Sequence, residues 1–160
     1  MKIVDFFECE NSSYWLEQIS KTDWRSGKYL YELLKSDSFT EKAGSFAKVL
    51  LLVDDDLLLA FCTVSERKYD IEALFCPWIG FVYTFPAHRG KHCSKLLLRF
   101  AEKIVYEHGY EKVYISTKHI GLYEKYGYEF NRMMIDWRGE EQRVYCKSIT
   151  ESIMHVCLGE

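Results

Sequence analysis

The chain has 160 residues, with 21 Lys and Arg against 24 Asp and Glu and a formal charge of −3. This length suits one domain of ordinary size, and 28% charged beside 48% hydrophobic residues excludes extended disorder. The charge balance lacks the basic footprint that a phosphate backbone demands, which excludes nucleic acid as the main partner.

The predicted elements begin with a strand over residues 2–9. Charges interrupt every short apolar run there, so no signal peptide is expected. No stretch reaches the roughly 18 apolar residues of a membrane span, and a cytoplasmic protein is the expectation. Asn11 or Ser12 then caps a helix carrying Trp15, Leu16 and Ile19. Asp23 caps a second helix with Tyr29, Leu30, Leu33 and Leu34 on one face, since first-turn N–H groups need acceptors. Two apolar runs, 46–53 and 57–64, flank Asp54-Asp55-Asp56 and read as an antiparallel hairpin buried on both faces. The next strand, 78–85, lies between Pro77 and Pro86, the only two prolines. Proline cannot donate to a ladder, so the pair sets the limits of the strand.

A long helix follows, with Cys93, Leu96, Leu97, Phe100, Ala101, Ile104 and Val105 recurring at helical spacing; Lys95, Arg99, Glu102 and Lys103 lie off this stripe. Gly109 ends the helix in a left-handed cap. A strand at 112–117, a short helix at 121–126 closed by Gly127, and strands at 128–137 and 142–149 turning at Arg138-Gly139 complete the reading, with 150–160 unassigned. The order predicts an α+β architecture, a mixed α/β sheet with helices on its faces. Cys9, Cys62, Cys76, Cys93, Cys146 and Cys157 stand singly, without metal-ligand spacing or a disulfide framework. Each is expected to act as a small buried hydrophobe, and no metal is expected.

The turn from the bracketed strand into the long helix reads Pro86-Ala87-His88-Arg89-Gly90-Lys91-His92-Cys93-Ser94-Lys95. A chain entering a helix N-terminus presents free N–H groups backed by the helix dipole, which suits a pyrophosphate. Arg89, Lys91 and Lys95 add positive charge. An ordinary solvated turn has the same spacing, and neither the dinucleotide glycine pattern nor the P-loop pattern is present.

Residues 86–91 leading into Leu96-Leu97, followed by Gly121-Leu122-Tyr123-Glu124-Lys125-Tyr126-Gly127-Tyr128-Glu129, resemble the acyl-CoA-binding core of the GNAT superfamily of N-acetyltransferases. The specific motifs occupy about residues 78–130, and the order of elements extends the resemblance over nearly the whole chain. The family loop is Gln/Arg-x-x-Gly-x-Gly/Ala. Arg89 opens it correctly, whereas His92 and Ser94 stand where small residues are usual. The resemblance implies a GNAT-like fold of 1–160, with an acceptor side at 1–77, a cofactor core at 78–130 and C-terminal strands and tail at 131–160. Its sheet is mostly antiparallel and splayed at the cofactor site.

It further implies acetyl-CoA as co-substrate and an amine as partner, with a homodimer as a compatible assembly. Backbone groups of Val82, Tyr83 and Thr84, and those near Phe85, would hold the pantetheine arm. The turn from Arg89 through Gly90, Lys91, His92, Cys93 and Ser94 to Lys95 would hold the pyrophosphate. Tyr123 matches the family tyrosine that serves the leaving thiolate. A phenol near pKa 10 against a thiol near 8.5 makes full proton transfer uphill by about 2 kcal/mol, so Tyr123 is better described as a hydrogen-bond donor. The base stays open among Glu72, Asp70, Glu66, His119 and a water chain, because the strand that carries a Glu in many relatives has no acid here. Residues 12–36 and 66–77 would shape the acceptor site, with Tyr14, Trp15, Trp24, Tyr29, Tyr31 and Tyr69 available for a cation–π pocket or for core packing. The alternatives to an enzyme are an acyl-CoA-binding module without transfer and, on the aromatic surplus alone, a protein adaptor.

Overall fold

The computed structural model describes residues 1–151. Cys157 and most of the unassigned tail therefore lie outside the described residues. Seven strands form one sheet: β1 (Lys2–Asp5), β2 (Ala47–Asp54), β3 (Leu57–Ser65), β4 (Trp78–Thr84), β5 (Lys112–Thr117), β6 (Glu129–Ile135) and β7 (Glu141–Ser148), in spatial order β1-β2-β3-β4-β5-β7-β6. Every neighbouring pair is antiparallel except β4 and β5. Helices α1 (Ser12–Ser20), α2 (Arg25–Lys35) and α3 (Phe39–Ala43) pack on one face and α4 (Cys93–Glu107) on the other. No helix among the described residues is long and apolar enough to cross a membrane.

The continuous apolar runs of the hairpin follow from this layering. Leu50 and Leu52 of β2 join the core under α4, while Val49, Leu51 and Val53 join the core under α1 and α2. A strand covered on both faces has no polar side to alternate with. Elsewhere the structure departs from the sequence expectation. β1 stops at Asp5, whose carboxylate accepts from the Phe7 N–H at 3.0 Å and turns the chain into a 3-10 turn, Phe6–Glu8. Neither expected cap is made: Asn11 precedes α1 without a side-chain bond, and α2 begins after Trp24, leaving Asp23 outside it. The five-residue α3 is too short for a periodic signal. Of the described thiols Cys62 and Cys93 are buried, whereas Cys9, Cys76 and Cys146 are half-buried.

The buried stripe of α4 is rotated from the expected one. Leu98 and Glu102 are each 1% exposed, while Leu96 and Phe100 reach 38% and 37%. Leu96, Leu97 and Leu98 are consecutive, so apolar spacing permits either rotation. Burial of Glu102 is supported by Lys147 of β7, whose ammonium lies 3.1 Å from both carboxylate oxygens, and by the Tyr128 hydroxyl, which donates to it at 2.9 Å. Desolvation pushes the Glu102 carboxyl up and the Lys147 ammonium opposes the shift. The helix ends as expected, with Gly109 at φ +85° and its N–H on the Tyr106 carbonyl at 2.9 Å.

β4 carries the irregularity that shapes the site. Its register with β3 runs Ala60 to Thr84 and Phe61 to Tyr83, then Thr63 to Gly80, so Phe81 and Val82 together oppose Cys62. Phe81 adopts φ +50° in this bulge. Ile79 and Val82 face the α4 core, while Phe81 and Tyr83 face the α1 and α2 core. Bulges of this kind re-aim side chains and end pairing beside functional sites.

A cleft where two parallel strands part

Only Trp78 with Tyr114 and Ile79 with Ile115 pair across β4 and β5. Beyond them the strands separate, and a cleft of about 1010 Å³ opens between them. Its walls include Gly80 to Thr84 of β4, Ile115 to Thr117 of β5, the turn into α4, and the segment carrying His119, Leu122 and Tyr123. The Phe85 N–H is taken by the Leu59 carbonyl at 3.0 Å. Polar groups of successive strand residues point to opposite edges. Tyr83 therefore turns the same way as Phe85, and Val82 and Thr84 turn their backbone groups into the gap. Tyr83 and Phe85, both expected to contribute, are committed to β3 instead.

In the turn into α4 the His88 and Arg89 N–H groups bond to the Phe85 and Pro86 carbonyls at 2.9 and 3.3 Å, and the N–H groups from Gly90 to Lys95 find no backbone acceptor among the described residues. Pro86–His88 form a 3-10 turn, Gly90 and His92 take φ +78° and +61°, and His92 stands at the start of α4 without a side-chain cap. The first N–H groups of a helix have no acceptor within it. Gly90, His92, Cys93 and Ser94 line the cleft, and Arg89 beside them donates through Nε to the Thr84 carbonyl at 3.0 Å. Lys91 and Lys95 are outside the lining, Lys91 exposed and Lys95 half-buried. His92 is exposed at the edge of the cleft.

Across the gap, Tyr123 starts a 3-10 turn, Tyr123–Tyr126, closed by Gly127 at φ +89°. The expected short helix is thus a single tight turn. Tyr123 is only 6% exposed yet reaches the cleft, among the rings of Tyr126, Tyr128 and Tyr145 at 6.5, 6.1 and 6.4 Å. Burial pushes its phenol well above the usual tyrosine range, with Cys62 and Tyr126 adding to the shift. The phenol therefore stays protonated as a donor. The Ser94 and Tyr126 hydroxyls meet at 3.1 Å and tie the turn to the start of α4.

Of the proposed bases, His119 and Asp70 line the cleft, whereas Glu72 and Glu66 do not. Glu72 is exposed on the loop before β4, and Glu66 accepts from the Ser45 hydroxyl at 2.5 Å. Glu66 is drawn away from the site because the start of the loop is tied back to α3, where the Arg67 N–H meets the Ala43 carbonyl at 2.8 Å. His119 is exposed at the rim, its N–H on the Thr117 hydroxyl at 3.0 Å. Asp70 is buried against Lys68 at 2.7 Å.

The far end of the cleft is aromatic and charged. Trp24 stacks on Tyr83 with centroids 5.6 Å apart and planes 5° apart, and Tyr69 stacks on Phe81 at 4.6 Å. Of the six rings expected here, only Trp24 and Tyr69 line the cleft. Trp15 is core, Tyr14 bonds outward to the Asp56 carbonyl, Tyr31 is half-buried, and Tyr29 supports Tyr69 and Trp137. The cation over Tyr69 is the protein's own Lys68, 4.0 Å from the ring centre. Burial pushes Lys68 down, opposed by Asp70, and pushes Tyr69 up to about 12.

Sequence reasoning missed Asp23 and the β6–β7 turn. Asp23 accepts from the Tyr83 hydroxyl at 2.5 Å; that bond, with help from Arg89 and Lys28, holds its carboxyl below the usual range. Arg138, Glu140 and Gln142 enter from the turn, which Asp136 fixes by accepting from the Arg138 and Glu140 N–H groups at 2.9 Å. Asp23 had a signal, an acid between two helices of the expected acceptor side. The turn had none beyond Arg138-Gly139.

The GNAT acetyltransferase family model matches residues 10–128. The chain belongs to this acetyltransferase family. A search of the curated proteins finds no match. Among solved structures, an aminoglycoside 6'-N-acetyltransferase complexed with coenzyme A is similar at 15% identity and TM-score 0.68, over 94% of this chain and 98% of that one. The aminoglycoside 6'-N-acetyltransferase from Enterococcus faecium has 16% identity and the same TM-score and coverage. The ribosomal-protein-S18-alanine N-acetyltransferase from Escherichia coli has 12% identity and TM-score 0.59, over 93% and 94% of the two chains. These likenesses bear out the GNAT fold expected from the motifs, with the mixed sheet and helices on both faces.

Proposed function

We propose that this GNAT protein transfers an acetyl group from acetyl-CoA to an amine by direct attack. The observation that carries the reading is the parting of β4 and β5 between two complementary ends: uncapped N–H groups beside Arg89 at one, and the Tyr123 phenol at the other. A coenzyme A complex of a structural neighbour supports the choice of donor.

Bound in the cleft, acetyl-CoA supplies an activated acyl group. The α4 N-terminus from His92 to Ser94, with Arg89, suits the pyrophosphate through backbone N–H groups and the helix dipole. The backbone of Val82 and Thr84 suits the extended arm, and an N–H there polarises the acyl carbonyl. As the C–N bond forms and the C–S bond breaks, one proton leaves nitrogen and one reaches sulfur. Tyr123 donates a hydrogen bond to the leaving sulfur. Asp23, held ionised by Tyr83, attracts the acceptor ammonium; so low a carboxyl is a weak base. The proton leaves nitrogen through His119 or water at the rim.

Thiol release from acetyl-CoA, followed with a panel of amines including an aminoglycoside and an alanine-terminated peptide, tests the reading. Wild type should turn over at least one amine and Tyr123→Phe should be slowed about a hundredfold. Equal turnover by the two proteins would remove Tyr123 from the mechanism. Calorimetric binding of acetyl-CoA without turnover of any amine would instead favour a binding module.

A further inference from the structure

Glu102 and Lys147 form a buried ion pair on the far side of the Tyr123 turn from the cleft, and neither lines the cleft. Such a pair contributes little net stability once desolvation of both ions is counted. Its hydrogen bonds are directed at the turn. Lys147 Nζ, besides its two contacts with Glu102, donates to the Tyr126 carbonyl at 2.9 Å. Glu102 also accepts from the Tyr128 hydroxyl at 2.9 Å, and the Tyr128 N–H returns to the Tyr123 carbonyl at 3.2 Å. The ring of Tyr128 stands edge-on to that of Tyr123 and beneath the Lys147 ammonium, 5.4 Å from it.

The connections close a loop through three elements. α4 provides Glu102, β7 provides Lys147, and the turn is gripped where it ends, at the Tyr126 carbonyl and at Tyr128. Gly127 lies between these grips at φ +89°, and a β-carbon there would come within 3.3 Å of Lys147 Cε. The last residue of a 3-10 turn exposes a carbonyl with no partner inside it, and Lys147 supplies that partner. Meanwhile the Tyr123 hydroxyl makes no hydrogen bond to another of the described residues, so among them the placing of its phenol falls to the backbone and the packed rings.

We propose that Glu102 and Lys147 are positioning residues for Tyr123, setting its phenol against the cleft by fixing the Tyr126 carbonyl and the Tyr128 ring. The catalytic arm of this inference rests on the reading of Tyr123 as the hydrogen-bond donor to sulfur; the positional arm does not. Misplacement by about 1 Å is enough to cost up to a hundredfold in rate.

The test uses the full chain with the neutral double substitution Glu102→Gln with Lys147→Met, which removes both charges together and leaves neither ion stranded. Tyr128→Phe, which deletes one hydroxyl, is the second variant in case the first does not fold. For the positional arm, 3-fluorotyrosine is placed at position 123 and its ¹⁹F resonance recorded. The double variant, or Tyr128→Phe in its place, should shift or broaden the resonance. An unmoved resonance in a folded variant overturns the proposal. For the catalytic arm, kcat is compared in the wild-type and Tyr123→Phe backgrounds with the amine that turns over fastest. The double variant should lower kcat about tenfold in the first and leave it unchanged in the second, with KM for acetyl-CoA unaltered. An equal loss in both backgrounds marks a merely structural role and overturns it. If Tyr123→Phe alone is inert, the reading of Tyr123 fails while the ¹⁹F result still judges the positional arm.

Discussion

The Tyr83 hydroxyl donates to the Asp23 carboxylate at 2.5 Å, joining β4 to the segment before α2 across sixty positions of sequence. Trp24 lies flat on the same tyrosine ring, so one aromatic side chain fixes both the acid and its neighbour. Asp23→Asn should therefore raise the acceptor KM and reduce kcat/KM by roughly tenfold to a hundredfold, the range expected when a hydrogen bond to a charged group is lost. Initial rates at varied amine concentration measure it.

Tyr83→Phe makes the complementary case in pH. The Tyr83 hydroxyl is the main cause of the lowered Asp23 pKa. A depressed carboxyl keeps its charge above its folded pKa and loses it as pH falls through that value. Without the hydroxyl the pKa rises toward its ordinary value, so the acid limb of the kcat/KM profile should move to higher pH. A profile with an unmoved acid limb would detach Asp23 from acceptor binding.

Arg89→Ala should weaken acetyl-CoA binding by about tenfold, the scale of one charge-assisted hydrogen bond. Wild type at a ligand concentration one hundred times its Kd should gain about 2.7 kcal/mol of stability. Thermal shifts of the two proteins over a series of acetyl-CoA concentrations should show displaced curves, and the displacement should shrink at high salt.

Gly127→Ala tests the turn beneath Tyr123. A left-handed conformation costs an L-residue about 1–2 kcal/mol, and the new β-carbon would crowd Lys147. The melting temperature should fall by about 2–8 °C for a chain of this size, as read by circular dichroism. Leu97→Ala, at a site with 0% exposure under α4, should cost more, about 2–5 kcal/mol by denaturant titration.

Strands β2 through β5 were legible because each is an apolar run ending at charges, glycine or proline. α4 was legible as a helix but not in rotation. Leu96, Leu97 and Leu98 offer equal apolar choices, and the deciding partner of Glu102 is Lys147, 45 positions away. Asp23 was misread for the same kind of reason, since local chemistry makes it a cap and only the distant Tyr83 makes it part of the cleft. Tyr123 and the turn into α4 were found through contiguous motifs. Glu72 was proposed on proximity to β4 in sequence, and the loop carries it away from the cleft.

The bulge at Phe81 and Val82 changes the parity of β4. Ile79 and Tyr83, four positions apart, would share a side in a regular strand, and the extra residue places them on opposite sides. Deleting one residue between Gly80 and Tyr83 would leave a single residue opposite Cys62 and keep Tyr83 opposite Phe61, so the Tyr83 ring would stay with Asp23 and Trp24. The bulge thus acts as a spare link in the strand, and β4 should tolerate a one-residue deletion there without exchanging its two sides.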